Sequence, residues 1–499
     1  MVGAASCHLR NRSMPDPTDS HPALRGLATV STATLVFALA GCLSPDSTPD
    51  RRFAVDLASD RIESHADLDA LQANPTSDPE AWNGQSPLTS GVAVQVAMSR
   101  DAGVRRTLAA IDVARADLAQ ADRAPNPMVE AAFGIPLDGM TGAPAMAMAA
   151  QQLTWLWTRP YRLDAADAEL QASVLDAAWS IVTLDAKVRS AHATAIVAAA
   201  RVDVDQEYAE ATSRLEFVVS RLFDAGEASR IDLDRIRVEA AEAAVAADAS
   251  DDVARLARLD LLVVMGLPGH HAGFDVISED ADEEWTTGIP AEDRVIELAA
   301  TARLDVAAAG CRILAAESRA GLAGLRRLPE VSATLGWNRS FQRRDAMMPG
   351  LAVRLPIFDD GLPAIAAADG RLHDAVLAHL ESRREAIAEA RRSRDQLVIA
   401  EVRRRGYEEH VLEPAGSAEN LASTAYAEGV VDLTVVLLAQ QRRIQAERRT
   451  LDHRLEEAKA RIHLVEQVGG SLELDPVVPV VPPFDERLAA DDSSSEHVR

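Results

Sequence analysis

From Pro160 to Leu222 the chain runs for roughly 63 residues with no glycine and no second proline. A single helix over that stretch would be about 95 Å long at ~1.5 Å of rise per residue. An average globular helix spans only three or four turns, so a globular core does not ask for one this long. Pro160 suits the first turn of such a helix. Its small and apolar positions are Leu170, Val174, Ala177, Ile181, Leu184, Val188, Ala191, Ala195, Ala198 and Val202. The steps mostly alternate four and three, which is the seam of a left-handed coiled coil. The stretch ends at Asp224-Ala225-Gly226-Glu227-Ala228-Ser229. There glycine can take a left-handed cap and Ser229 can N-cap a returning helix. The sequence therefore predicts a long helical hairpin.

Composition supports that reading. The chain of 499 residues has a formal charge of -26 and only 4% aromatic residues, and much of its 47% hydrophobic content is alanine. Few aromatics and many alanines suit closely spaced helices better than one thick core. The acidity argues against nucleic acid as a partner, because a basic face would be needed.

The N-terminus reads as a processed leader. Residues 27–40 are apolar, follow His21 and Arg25, and lead into Leu39-Ala40-Gly41-Cys42. Small residues before a cysteine resemble a bacterial lipoprotein signal, with Cys42 as the lipidated residue. The apolar run is too short for a spanning helix. Residues 1–41 are then signal peptide. Residues 42–90, rich in Pro, Asp, Ser and Thr, are a lipidated tether, with a short helix allowed at 66–73. Met14 is an alternative start that would leave Cys7 outside the protein. Cys311 would then stand alone, with no disulfide framework.

Behind the tether the chain repeats itself. Asn126-Pro127 with Val129, Ala131, Phe133 and Ile135 recurs as Leu328-Pro329 with Val331, Ala333, Leu335 and Trp337, an offset of 329 − 127 = 202. Gly226 and Gly429, like Gly266 and Gly469, are 203 apart. A register held within one residue over so long a span is a duplication. The halves are 91–270 and 292–470, joined by an acidic linker at 271–291 and followed by a disordered tail at 471–499. Each half reads as a helix (about 92–122 and 293–325), two strands, a long helix (160–222 and 363–427), a glycine turn and a returning helix (229–265 and 432–468). Pro414 predicts a break in the second long helix. The strands alternate apolar and polar over roughly 9–11 residues, enough to cross an outer membrane when tilted. Four strands cannot close a barrel, and an open edge in lipid leaves unpaired N–H and C=O groups. Closure therefore requires several chains.

The leader, the duplicated halves and a glycine at each hairpin turn together resemble the TolC-like outer membrane efflux protein family, over about residues 91–470. The carrying elements are Asn126-Pro127, Arg303-Leu304-Asp305, Leu328-Pro329, residues 355–361 (Leu-Pro-Ile-Phe-Asp-Asp-Gly) and Tyr426-Ala427-Glu428-Gly429. The resemblance implies a mainly α fold with β. Duplicated coiled-coil hairpins would form a trimeric α-barrel, and four strands per chain would enter a shared twelve-stranded transmembrane β-barrel. It implies a lipid-anchored homotrimer in the bacterial outer membrane, its helical barrel in the periplasm. Its partners would be a periplasmic membrane-fusion adaptor and an inner-membrane efflux pump or ABC exporter. The adaptor would dock on the tips, here Ala225-Gly226-Glu227 and Glu428-Gly429-Val430, where relatives carry valine before each glycine. Relatives also carry a carboxylate ring six and nine residues after the second glycine. Val435 and Leu438 stand there instead, so the constriction would be apolar. Asp432 reads as an N-cap, while Asp232 and Tyr426 match latch positions whose usual arginine partner falls at Val431.

No catalytic or metal-binding signature accompanies these features. A Walker loop, HExxH, GxSxG and paired CxxC are all missing from the sequence. His270-His271 reads as a polar turn, and Met140, Met146, Met148, Met347 and Met348 as strand-side filler. The expectation is a passive duct, not an enzyme, with no cofactor beyond the lipid on Cys42. The alternative is a lipid-anchored coiled-coil scaffold without channel activity.

Overall fold

The computed structural model describes residues 45–62, 82, 84, 86–135, 143–278, 288–340, 342 and 344–472. Cys7, Cys42, the stretch 66–73, Met140, the acidic run 279–287 and the tail from 473 onward lie outside the described residues. The first half contains helix α1 (Thr48–Ser59), α2 (Ser90–Arg100), α3 (Ala102–Asp122), strands β1 (Met128–Phe133) and β2 (Ala145–Gln152), then α4 (Trp155–Asp224) and α5 (Arg230–Val264). The second half contains α6 (Glu292–Thr301), α7 (Leu304–Gly324), β3 (Glu330–Arg339), β4 (Asp345–Arg354), α8 (Leu362–Tyr407), α9 (Glu413–Ala427) and α10 (Leu433–Gln467). No described helix is long and apolar enough to cross a membrane, which says nothing of a β-barrel.

The duplication extends to features the residue pattern did not reveal. The first helix of each half is split in two, by Asp101 (φ -64°, ψ 123°) and by Arg303 (φ -69°, ψ 128°), at the same offset of 303 − 101 = 202. Buried positions correspond too: Val96 with Leu298, Ala97 with Ala299, Leu261 with Leu464, and Met265 with Val468. Asp101 caps α3 by accepting from the Val104 amide. Arg303 has no acceptor to offer, and its guanidinium instead donates to Asp305 at 2.7 Å and to Gln467 Oε1 at 2.6 Å. It also lies 5.0 Å from the Trp179 ring centroid. One buried side chain thus ties the α6–α7 break to α4 and to the end of α10.

The predicted seam of α4 is buried at every position except Ala191, which is half-buried. A second row is buried beside it, including Ala178, Val182, Asp185, Ala186 and His192. The reason is that α4 packs against α1, α2, α3, α5, α7 and α10 rather than against one partner. Its counterpart α8 buries only Ala368, Ala386, Ala390, Ser393, Leu397 and Ala400. The halves share a topology and differ in burial.

The strands form one antiparallel sheet in the order β1-β2-β3-β4, leaving β1 and β4 as edges. Register places Val331, Ala333, Leu335 and Trp337 opposite Val353, Leu351, Pro349 and Met347. These eight share an apolar face. The other face of β3 carries Ser332, Thr334, Gly336 and Asn338. Ten residues in β3 and β4 reach about 33 Å along the strand at ~3.3 Å each. At the hairpin end Arg339 and Asp345 pair at 2.8 Å.

Several expectations are corrected. The long helix starts at Trp155, not Pro160, and Pro160 lies inside it. The start is set from a distance: the amides of Leu153 and Thr154 donate to the Val331 carbonyl, and Thr154 Oγ1 accepts from the Val331 amide at 3.0 Å. Pro414 interrupts the second long α-helix as predicted, but without a gap. One π-helical turn, Glu408–Leu412, absorbs the missing amide, and α9 continues beyond it. The stretch expected to be a tether contains α1, whose Ala54, Val55 and Ala58 are buried against the body. Leu88 bridges to Val276, and Phe274 is buried, so the start of the expected linker is folded as well. β1 and β2 span 6 and 8 residues, shorter than expected.

Arg303→Met should lower stability by roughly 3 kcal/mol, because Asp305 and Gln467 lose their buried partner. The apparent melting temperature of the detergent-solubilised protein measures this, and an unchanged value would remove Arg303 from the hub. Arg303→Lys should recover part of the loss.

Candidate functional site

Two helical hairpins end side by side, and their tips are built alike. At the first, Gly226 takes φ +81°, its amide donates to Phe223 O at 3.0 Å, and the Glu227 amide donates to Leu222 O at 2.8 Å. At the second, Gly429 takes φ +74°, with Gly429 bonded to Tyr426 O at 2.9 Å and Val430 to Ala425 O at 2.8 Å. Both are Schellman closures, which satisfy the last helical carbonyls by a left-handed residue. A Cβ on either glycine would meet nothing within 4 Å. Only the backbone angle requires glycine there. Ala225, Gly226, Glu227, Glu428, Gly429 and Val430 are all exposed.

The returning helices are capped at corresponding positions, Ser229 and Asp432, 203 residues apart. Ser229 Oγ accepts from the Asp232 amide at 3.2 Å, and the Asp232 carboxylate accepts from the Ser229 amide at 3.2 Å and from Ser229 Oγ at 2.6 Å. This capping box occupies the carboxylate read as a latch. In the second hairpin the acid is at the cap itself: Asp432 Oδ1 accepts from the Val435 amide at 3.3 Å. Val435 then stands where the first hairpin has Asp232. Tyr426 packs beside an apolar cluster of Val219, Leu233, Ile236, Leu433 and Leu437, which joins the two hairpins. Val435 and Leu438 are not part of that cluster and are 44% and 54% exposed. Within one protomer the five residues read as a gate have different settings. Two cap helices, one packs the hairpins together, and two form an exposed apolar pair.

Above the tips, polar contacts link the first hairpin to α10. Arg235 donates to Thr434 Oγ1, Glu239 accepts from Gln441 at 2.6 Å, and Asp205 pairs with Arg448 at 2.6 Å. Arg443 reaches Glu419 and Glu447, each at 2.6 Å, and Glu207 at 3.3 Å. Tyr208 donates to Glu239, and burial, reinforced by this carboxylate, raises the phenol far above its usual range. The ladder escaped the sequence reading, although one signal was present. Asp205 continues the seam three residues after Val202, and it is almost fully buried. A buried carboxylate in a seam needs a partner.

Among the described residues no group of three or more His, Cys, Asp or Glu could hold a metal ion. Cys311 is buried and free, and burial raises its thiol pKa. His270 and His271 lie in the loop after α5.

Residues 295–470 match the family model for outer membrane efflux proteins, a family of channel proteins and not of enzymes. No curated protein sequence matches the chain. Among solved structures the outer-membrane channel OprN is similar over 82% of this chain and 97% of its own, at 19% identity and a TM-score of 0.63. CusC is similar over 81% of this chain and 98% of its own, at 15% identity and a TM-score of 0.65. The open-state MtrE channel of Neisseria gonorrhoeae covers 77% of this chain and 89% of its own, at 16% identity and a TM-score of 0.63. These likenesses establish the fold: duplicated helical hairpins carrying a four-stranded sheet, as in outer-membrane channels.

Gly226→Ala and Gly429→Ala should each destabilise the tip by about 1 kcal/mol through the left-handed backbone alone. Hydrogen exchange of the neighbouring amides should accelerate about fivefold. Gly269→Ala, in a loop with open space and no positive φ, should leave exchange unchanged.

Proposed function

We propose that this chain, which carries an outer membrane efflux protein domain on the fold of outer-membrane channels, is one protomer of a homotrimeric export duct. The observation that carries the reading is the four-stranded sheet with two free edges, set where the long helices α4 and α8 begin. In lipid those edges must be paired. Two copies would give eight strands, a number whose interior side chains fill. Three give twelve and leave a lumen, and the apolar face of β3 and β4 suits the outside of such a barrel. The hairpins would continue the duct through the periplasm to tips where an adaptor docks, with a pump supplying energy.

The lipid anchor fits the described N-terminus. Cys42 precedes Ser47 by five residues, a reach of at most about 17 Å. Ser47 is bonded to Asp112 at 2.5 Å. Asp112 lies ten residues before Asp122, about 15 Å along α3 from the end that leads into β1.

Gating is assigned to Val435 and Leu438, since the Asp232 carboxylate is engaged by Ser229 and Tyr426 is packed between the hairpins. A ring of such residues would close by expelling water rather than by charge. The groups needed for catalysis are not part of this reading, in which binding and energy come from partners.

Planar-bilayer recording tests the duct. The purified protein should migrate as a heat-resistant trimer and conduct, whereas a monomer without conductance leaves the coiled-coil scaffold. Val435→Asp should introduce cation selectivity and Asp432→Asn should not alter the wild-type value. Loss of wild-type selectivity in Asp432→Asn would return the gate to charge. Cys42→Ser should remove the acyl mass from the mature protein while the β-barrel keeps it in outer-membrane fractions at high pH; release at high pH would favour the coiled-coil scaffold.

A further inference from the structure

Fifty-one residues of this chain are lysine or arginine, and only two of them, Lys187 and Lys459, are lysine. They are far apart in sequence and on different helices, α4 and α10, yet both line one cavity of about 920 Å³. Arg403, from α8, lines it as well. Three helices therefore each present one cation to the same space. Among the described residues none of the three has a carboxylate partner. Their absence from the ion pairs is notable because Arg404 and Arg405, the neighbours of Arg403, are both paired. Lys187 and Arg403 are exposed and Lys459 is half-buried, so in a chain of net charge -26 these three cations are hydrated, without a carboxylate to hold them, and available to a ligand in the cavity.

The rest of the lining defines what could sit there. Val264, Ile399 and Ile462 contribute apolar surface. Two acids also line the cavity, Glu466 bonded to His463 at 3.2 Å and Glu456 bonded to His453 at 3.3 Å, so the lining sets three Lys and Arg cations against two carboxylates. A mostly apolar cavity with a few convergent charges is the usual form of a small-molecule site. Lysine differs from arginine here in a useful way. Its ammonium is a point charge on a flexible stem that lies along apolar surface, and it imposes no planar fork on its ligand.

We propose that this cavity binds an amphipathic anion, its hydrocarbon body against Val264, Ile399 and Ile462 and its carboxylate or sulfate head among Lys187, Lys459 and Arg403. The assignment stands on one protomer's fold and does not depend on the chain conducting, so conductance and binding fail separately.

The scarcity of lysine supplies the test. The full-length protein is placed in phosphatidylcholine nanodiscs, and an amine-reactive acylating reagent is followed by peptide mass spectrometry at Lys187 and Lys459. Both lysines should react without ligand. Laurate at ten times its dissociation constant should slow both by about tenfold. Inorganic sulfate and dodecyltrimethylammonium should protect neither, since one lacks the body and the other the charge. Arg403→Gln should weaken laurate protection at both lysines while their rates without laurate stay unchanged. Equal rates with and without laurate, equal protection by the cationic amphiphile, or two lysines unreactive from the outset in the assembled protein would each overturn the proposal.

Discussion

Small side chains along α4 set the spacing on which the rest of the structure depends. Ala177, Ala178 and Ala195 are fully buried there. Separation between packed helices follows the size of the side chains between them. Alanine at these positions lets six helices approach α4 together. Each alanine buries little apolar surface, so stability has to come from the length of the contact. That links the unusual length of the helix to its composition. Larger seam residues would push neighbours apart, and short helices with alanine seams would bury too little to hold.

Duplication supplied two copies of this element, and they have diverged in role. α4 is enclosed by its neighbours, whereas α8 keeps most of its surface exposed. The tips diverged over a few residues. One hairpin has Ser229 at the cap with Asp232 on the third helical residue, while the other has Asp432 at the cap with Val435 in that place. Moving the acid onto the cap keeps the orphan amide bonded and frees the next turn to be apolar. A change that is neutral for the helix thus alters what the tip exposes. Arg303 shows similar divergence, with a buried cation where the first half has the capping Asp101.

Much of this was legible in the residues. The seam of α4, the glycines at both tips, the order of elements and the offsets of 202 and 203 could all be read from spacing. So could the alternation of β3, because one polar face and one apolar face leave a period of two. What could not be read depended on distant partners. The start of α4 at Trp155 is set by Val331, which lies 177 residues from its bonded partner Thr154. Burial of α1 depends on its fit to the body, including the pairing of Ser47 with Asp112 and of Asp50 with Arg115. The stretch around α1 is polar enough to resemble a linker. Pro414 removes an amide, and whether a helix then breaks or takes up a π turn depends on how its flanks are held.

The sequence by itself determined the local grammar: where the long helices run, where backbone must turn left-handed, and that one unit occurs twice. Those outcomes follow from steric limits on single residues and from periodicity, which act over a few positions. Tertiary structure decided what each copy became. It made α4 the centre and left α8 at the margin. It paired Asp205 with Arg448, and it brought Lys187, Arg403 and Lys459 around one cavity. Such convergence has no signature in spacing, because helices far apart in the chain meet only through packing.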